Sequence, residues 1–245
     1  MRILLTNDDG IDEEGLAALA EGLKREHEVW VVAPDRNRSG VSHGITMHEP
    51  LKMRQYDKNT FSCSGLPADC VITGVKAVLP AVPDVVISGI NRGPNIGSDI
   101  IYSGTAAAAR QAALFGIPAL AFSLDSDDGS WRYAALTDFA VRNLNSLKKL
   151  CIADVFLNIN AKSADSYNGC KLTAISLRQY QDTIHLYTAP NGQTYSFFES
   201  GCMQTQGSEL SDFQAVQDGY VSVSPVFAHP ATVSFADISL DGISV

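Results

Sequence analysis

No stretch of this 245-residue chain is apolar for long enough to cross a membrane. Its first residues also lack the charged, apolar and small-residue sections of an export signal, because "ILLT" is short and runs straight into "NDDG". Cysteine is scarce and unpaired: Cys63, Cys70, Cys151, Cys170 and Cys202 are odd in number and form no C-x-x-C pair. That argues against a disulfide framework and for a reducing compartment, so the expected location is cytoplasmic. Positive charge is scarce as well. Eighteen Lys and Arg stand against 27 Asp and Glu, a net charge of −9, and that average field repels polyanions. Neither a nucleic-acid polymer nor a membrane is expected as a partner. Of the two basic clusters, Lys148–Lys149 and Arg36 with Arg38, the second could meet a single phosphate. The five histidines show no H-x-x-x-H or H-E-x-x-H spacing, and neither G-x-x-x-x-G-K-[ST] nor G-x-G-x-x-G occurs. A zinc-protease motif, a Walker-type ATPase and a dinucleotide fingerprint are therefore unsupported. Repeats, low-complexity tracts and flexible linkers are missing too.

What is present is an ordinary globular composition, 45% hydrophobic and 18% charged, in a length that α/β folds reach as one domain. The first half alternates strand-like and helix-like pieces. "RILLT" precedes a helical stretch with Leu16, Leu19, Ala20 and Leu23 on one face, for which Asp12 is the expected N-cap. "EVWVVAP" is a second strand, and "ITMHEPLKMRQYD" and "FSCSG" read as extended segments. "PADCVITGVKAVL" reads as a helix with Pro67 in its first turn. "DVVISGI" is a buried strand, "TAAAARQAALFG" an alanine-rich helix, and "PALAFSL", "WRYAALTDFAVRNLNSLKKL" and "DVFLNINA" continue the series. Such alternation predicts parallel β-α-β units and a Rossmann-like three-layer α/β/α core with a mainly parallel sheet. Beyond about residue 165 the pattern turns β-like, and "APNGQT" supplies an Asn-Gly turn. One domain spanning 1–245 is expected, with its core at about 1–165 and 210–245 and a projecting C-terminal β-hairpin arm at about 171–199.

In open parallel sheets, ligands bind beyond the carboxyl ends of the strands. Asn7, Asp8, Asp9 and Gly10 follow the first strand; Asp35, Arg36, Asn37, Arg38 and Ser39 follow the second; Asn91, Arg92, Gly93 and Asn95 follow "VVISGI". Each set alone also reads as a turn. Together, Asp8, Asp9, Asn91 and Ser39 supply the oxygen ligands that a hard divalent cation takes, and a cation relieves the repulsion between two adjacent carboxylates. With histidine spacing against zinc, Mg²⁺ or Mn²⁺ is the expected metal. Ser103, Gly104 and Thr105 stand at the start of the alanine-rich helix, where free N–H groups favour a phosphate, although Ser or Thr there also serves as an ordinary cap. A carboxylate-held metal beside an anion pocket points to phosphate-ester hydrolysis.

At these residues the sequence resembles the SurE (survival protein E) nucleotidases. The matching pieces are "MRILLTNDDGI", "VVAPDRNRSGVSHGIT", "SGLPADCV", "PDVVISGINRGPNIGSDIIYSGTAAAA", "GIPALAFS", "LNIN" and "AVQDGYVSVSPV", which span most of the chain. The resemblance implies a phosphomonoesterase, dependent on one divalent metal ion, that hydrolyses nucleoside 5′- and 3′-monophosphates. It implies Asp8, Asp9, Ser39 and Asn91 as metal ligands, with Asp8 and Asp9 also the catalytic residues, and Asn95 and Ser103 to Thr105 around the phosphate. It further implies a homodimer or homotetramer assembled through the arm, often with exchange of C-terminal elements. The helix after "YSGT" and the arm depart from the family's usual pattern. Direct attack by metal-activated water is the preferred route, with an aspartyl-phosphate as the other. The competing readings are a non-catalytic nucleotide-binding or regulatory module, which needs no acidic pair, and a nucleotide-sugar transferase, which releases no phosphate from plain monophosphates.

Overall fold

A computed structural model of the protein describes residues 1–232. The chain runs β1 (Arg2–Thr6), α1 (Glu14–Lys24), β2 (Glu28–Pro34), β3 (Met53–Asp57), β4 (Thr60–Cys63), α2 (Pro67–Thr73), β5 (Val85–Arg92), α3 (Gly104–Leu114), β6 (Ala119–Asp125), α4 (Ala134–Leu150) and β7 (Val155–Lys162). The remainder is β8 (Cys170–Leu172), β9 (Leu177–Tyr180), β10 (Thr183–Thr188), β11 (Thr194–Glu199), β12 (Met203–Gln206), α5 (Asp212–Gln217) and β13 (Val221–Phe227).

The main sheet has the order β3-β4-β2-β1-β5-β6-β7-β13-β8. The stretch from β4 through β7 is parallel throughout, whereas β3 against β4 and β13 against β7 are antiparallel. Central strands are buried on both faces, and side-chain alternation divides them between two cores. Ile3 and Leu5 of β1, Val85 and Ile87 of β5, and Leu120, Phe122 and Leu124 of β6 join α1 and α4 on one side. Leu4, Val86, Ala119 and Ala121 meet α2 and α3 on the other. Alanines on that face of β6 let the alanine-rich α3 lie close, with Ala106, Ala108, Ala109 and Ala112 fully buried. The fold is thus α/β with three layers and a largely parallel sheet.

Local differences from the sequence reading have physical reasons. Helix α1 begins at Glu14, and its N-cap is Glu13 rather than Asp12, with no side-chain cap bond. The loop before it is already held: Asn7 bonds Gly10 in both directions, Ile11 N–H reaches Pro34 C=O at 2.9 Å, and Glu13 N–H reaches Gly10 C=O at 3.3 Å. The helix expected from Pro67 onward stays α-helical only to Thr73 and continues over 74–78 as a wider π turn. Among the described residues no helix is long and apolar enough to cross a membrane.

Beyond β7 the chain adds β8 at the sheet edge, parallel to β13. Lys171 and Leu172, placed in the arm by the sequence reading, therefore pair within the main sheet. A two-part ribbon follows, in which β9 pairs with β12 and β10 pairs with β11, all antiparallel. Paired strands run out to Gln206, past the expected end at 199, and the turn between β10 and β11 contains Asn191-Gly192. Helix α5 and β13 then rejoin the main body. Residues 233–245, the end of the expected core and the segment bearing on C-terminal exchange, lie outside the described residues.

Candidate active site

Strand β1 lies between β2 and β5, so the three polar loops read from the sequence leave the same edge of the sheet. Arg38 N–H bonds Asp8 C=O at 2.7 Å, tying the loop after β2 to the end of β1. Ser42 closes the other end of that loop, its N–H on Tyr102 C=O at 3.0 Å and its hydroxyl on Ile101 C=O at 2.7 Å. Between these ties opens a cleft of about 350 Å³, lined by Asp8, Ser39, Gly40, Asn91, Arg92, Asn95, Asp99, Tyr102, Ser103 and Tyr180. Five of the eight candidate residues named above line it. Asp9, Gly104 and Thr105 stand immediately behind.

Those three nevertheless shape the site. Thr105 is fully buried and its hydroxyl donates to the Asp8 carboxylate. Gly104 brings the start of α3 against the same side chain, for a Cβ there would lie 2.7 Å from Asp8 Cβ. Any larger residue displaces either the helix or the acid. Asp9 accepts the Arg92 backbone N–H at 3.0 Å, which links the end of β1 to that of β5. Asn91 donates through Nδ2 to Gly93 C=O at 2.8 Å, so its carbonyl oxygen is the uncommitted end of the amide among the described residues. Ser39 is exposed at the rim.

Asn95 is the most constrained of the group. Its N–H bonds Asn160 Oδ1 at 2.8 Å, its Nδ2 reaches Ser123 Oγ at 2.7 Å, and Asn158 and Asn160 both donate to its C=O. The two asparagines of "LNIN" are thus fully buried on β7 and serve the loop after β5. Ser103 caps α3 by accepting the Ala106 N–H at 3.0 Å while facing the cleft.

Electrostatics distinguish this edge from the rest of the surface. Burial pushes the Asp8 carboxyl above its ordinary value, against the lowering effect of the Thr105 hydroxyl bond. Asp9 is pushed up to about 6, chiefly by burial, then by the charge of Asp8, against the Arg92 N–H bond. Among the described residues neither acid forms an ion pair. Two desolvated, unpaired carboxylates beside a free amide carbonyl and a hydroxyl are a donor set that a hard divalent cation fits. Among the described residues no group of three or more His, Cys, Asp or Glu side chains offers a metal site. A cation here therefore rests on the acid pair plus neutral oxygens.

The basic pair Arg36–Arg38 does not serve the cleft. Arg38 is mostly buried, its guanidinium on Ser64 C=O and 3.6 Å from Asp35, and Arg36 extends into solvent. The cation on the cleft wall is Arg92, whose guanidinium also lies 5.5 Å from the centre of the Trp131 ring. Asp99, Tyr102 and Tyr180 have no place among the candidates that the sequence offers, and Arg92 stands there only as a member of the set after "VVISGI". In that set Arg92 reads equally well as part of a turn. Tyr180 comes from the arm, and no local signal connects it with residues almost a hundred positions earlier.

The model of the family described as "Survival protein SurE" matches residues 3–182. A 5′-nucleotidase SurE of Geotalea uraniireducens is 41% identical over 229 residues, 92% of each chain. One of Geobacter sulfurreducens is 39% identical over 243 residues, 98% of this chain and 92% of that one. Among solved structures, the SurE protein of Aquifex aeolicus superposes with a TM-score of 0.84 at 36% identity, covering 97% of both chains.

Proposed function

The chain belongs to the survival protein SurE family, and on that premise we infer that it is an enzyme, a 5′-nucleotidase that hydrolyses nucleoside monophosphates to nucleoside and phosphate. The finer reading is a phosphomonoesterase that needs one divalent ion, Mg²⁺ or Mn²⁺, and accepts 3′- as well as 5′-monophosphates. The observation carrying it is the buried, unpaired Asp8–Asp9 couple at a cleft that also presents Asn91, Ser39 and an arginine. Such a couple is costly without a counter-charge and becomes favourable with one.

In this reading Asp8, Asp9, Asn91 and Ser39 hold the ion. When bound, a divalent ion lowers the pKa of a coordinated water and offsets charge on a phosphoryl group. The chain's own part is positional. Thr105 fixes the Asp8 carboxylate by a hydrogen bond, and Arg92 N–H fixes that of Asp9. Ser103, Gly104 and Thr105 bring the amino end of α3 to the cleft, where its N–H groups and dipole favour phosphate oxygens. Asn95 is held in the cleft wall by four hydrogen bonds. Asn95 Nδ2 donates to Ser123 Oγ, and because that hydroxyl can donate as well as accept, a flipped amide would keep the contact and free Nδ2 for a phosphate. Arg92, a residue of the cleft wall, brings a positive charge that favours a dianionic ester nearby. Hydrolysis then adds water across the P–O bond, by direct attack on phosphorus in the preferred route.

A homodimer or homotetramer built through the arm, and a cytoplasmic location, complete the proposal. Five free cysteines suit the latter. The deciding experiment measures phosphate release from AMP and 3′-AMP with EDTA, then with Mg²⁺ or Mn²⁺ restored, alongside Asp9→Asn. Metal-restored release that the variant lacks supports the reading. Release that is indifferent to EDTA removes the metal, and no release from folded, metal-loaded protein removes the nucleotidase.

A further inference from the structure

Tyr180 stands apart from the rest of the cleft wall because it belongs to the ribbon rather than to the core. Its attachment is specific. The hydroxyl donates to Asp99 Oδ1 at 2.7 Å, and the other oxygen of that carboxylate receives Arg178 Nη1, also at 2.7 Å. Arg178 is 8% exposed and its N–H bonds Ser98 Oγ at 3.1 Å, so β9 is fastened to the 97–101 turn by both backbone and side chain. Gly97, at φ +61, makes room for this: a Cβ there would lie 2.8 Å from the Ser176 carbonyl oxygen. Asp212 anchors the same junction from below by accepting the N–H groups of Gly97 and Ser176 at 2.7 and 2.9 Å. Burial and the Asp99 carboxylate both raise the Tyr180 phenol, so it stays neutral.

The consequence is an aromatic ring whose polar end is committed while 48% of the residue remains exposed. It lines the same cleft as Asp8, Asn91, Arg92 and Ser103, and a second exposed ring, Tyr102, lines it too. A half-exposed aromatic ring held by a hydrogen-bonded clasp at the wall of a polar cleft can serve as a stacking platform, which any nucleobase can use because every base has a π face. We propose that Tyr180, held by Asp99 and Arg178, is the residue against which the substrate's base stacks, so that the arm supplies the nucleoside-specific part of a site whose phosphate-handling part is in the core. This rests on the nucleotidase reading for the position of the phosphate.

The test compares AMP with ribose 5-phosphate, which carries the same ester and no base, on wild type, Tyr180→Ala and Tyr180→Phe. Tyr180→Ala is expected to raise KM for AMP roughly 5- to 100-fold with kcat little changed, and to leave kcat/KM for ribose 5-phosphate unaltered. Tyr180→Phe keeps the ring and is expected to lose less than Tyr180→Ala on AMP. Equal losses on both substrates would mean that the residue only holds the arm in place, and an unchanged AMP KM in Tyr180→Ala would remove the stacking role. If the wild type releases no phosphate, the nucleotidase reading fails, and equilibrium binding of the same two compounds to the same variants decides the base contact by itself. Loss of AMP affinity alone in Tyr180→Ala supports it; parallel or absent loss overturns it.

Discussion

Asp9 is unfavourable to the fold as a bare carboxylate, which is why the proposed site gives it a counter-charge. Its carboxyl titrates at about 6 against an ordinary 3.8, so the folded chain holds the proton more tightly than the unfolded one. Its contribution to stability is therefore best with the proton on, declines as pH rises from 3.8 to about 6, and stays at its lowest above that. In EDTA at pH 7.5, Asp9→Asn is expected to be more stable than wild type by on the order of 1 kcal/mol, a value discounted for partial solvent access. The gap should close toward pH 4, and urea unfolding of both proteins at the two pH values measures it. Thr105 carries the complementary argument. Its hydroxyl donates its hydrogen bond to Asp8, so Thr105→Val should lower metal affinity or turnover about 10- to 100-fold, with Thr105→Ser restoring most of it. Metal titrations of the three proteins check this, and equal affinities would sink the orienting role.

Among the elements, α3 and the ribbon matter most. Helix α3 is alanine-rich because the faces of β5 and β6 beneath it are close, and its first residue is glycine because Asp8 is closer still. Gly104→Ala is expected to cost about 1–3 kcal/mol through overpacking and to reduce turnover more than a surface change of the same size would. Thermal unfolding and phosphate release, measured together, test both halves. The ribbon poses the opposite case, too little packing. On one face His185, Tyr187, Phe197 and Tyr195 are neighbours across the strands, with the Tyr187 and Phe197 rings 5.7 Å apart edge to face. On the other, Ile184 and Phe198 are opposite each other, 55% and 74% exposed. Two strands alone are marginal in water, and so apolar a surface fits burial against another copy of the chain. Replacing Ile184 and Phe198 together by Asp should lower the mass measured by light scattering while leaving the core's circular dichroism intact; an unchanged mass would show that assembly does not use this face.

For the whole molecule, the net charge of −9 and the uncompensated acids at the cleft mean that a divalent cation bound there, as proposed, would stabilise the native state. A ligand that binds only the folded chain raises stability by RT ln(1 + [L]/Kd), about 2.7 kcal/mol at a hundredfold excess over Kd. Adding Mg²⁺ or Mn²⁺ to EDTA-stripped protein is therefore expected to raise the melting temperature of wild type and to leave Asp9→Asn nearly unmoved. A similar rise in both would place the ion elsewhere on the acidic surface.

Short apolar runs such as "RILLT" and "DVVISGI", alternating with helical periodicity, were enough to specify a parallel α/β sheet, because burial on both faces demands continuous hydrophobicity. The common edge of Asp8, Asp9, Ser39 and Asn91 was legible for a related reason, since polar residues soon after a buried parallel strand emerge at the sheet's carboxyl edge, whereas Ser103 was read from the start of the alanine-rich helix. The order β2-β1-β5 then brought three loops to one cleft. Tertiary structure alone decided what happens there. That Thr105 and Gly104 stand behind Asp8, that Arg38 turns inward to Ser64 while Arg92 lines the wall, and that Tyr180 arrives from the arm are all long-range contacts. Local sequence encodes which residues are polar and where a strand ends. Which of them faces a ligand depends on how distant segments pack, and no period or motif in the chain carries that information.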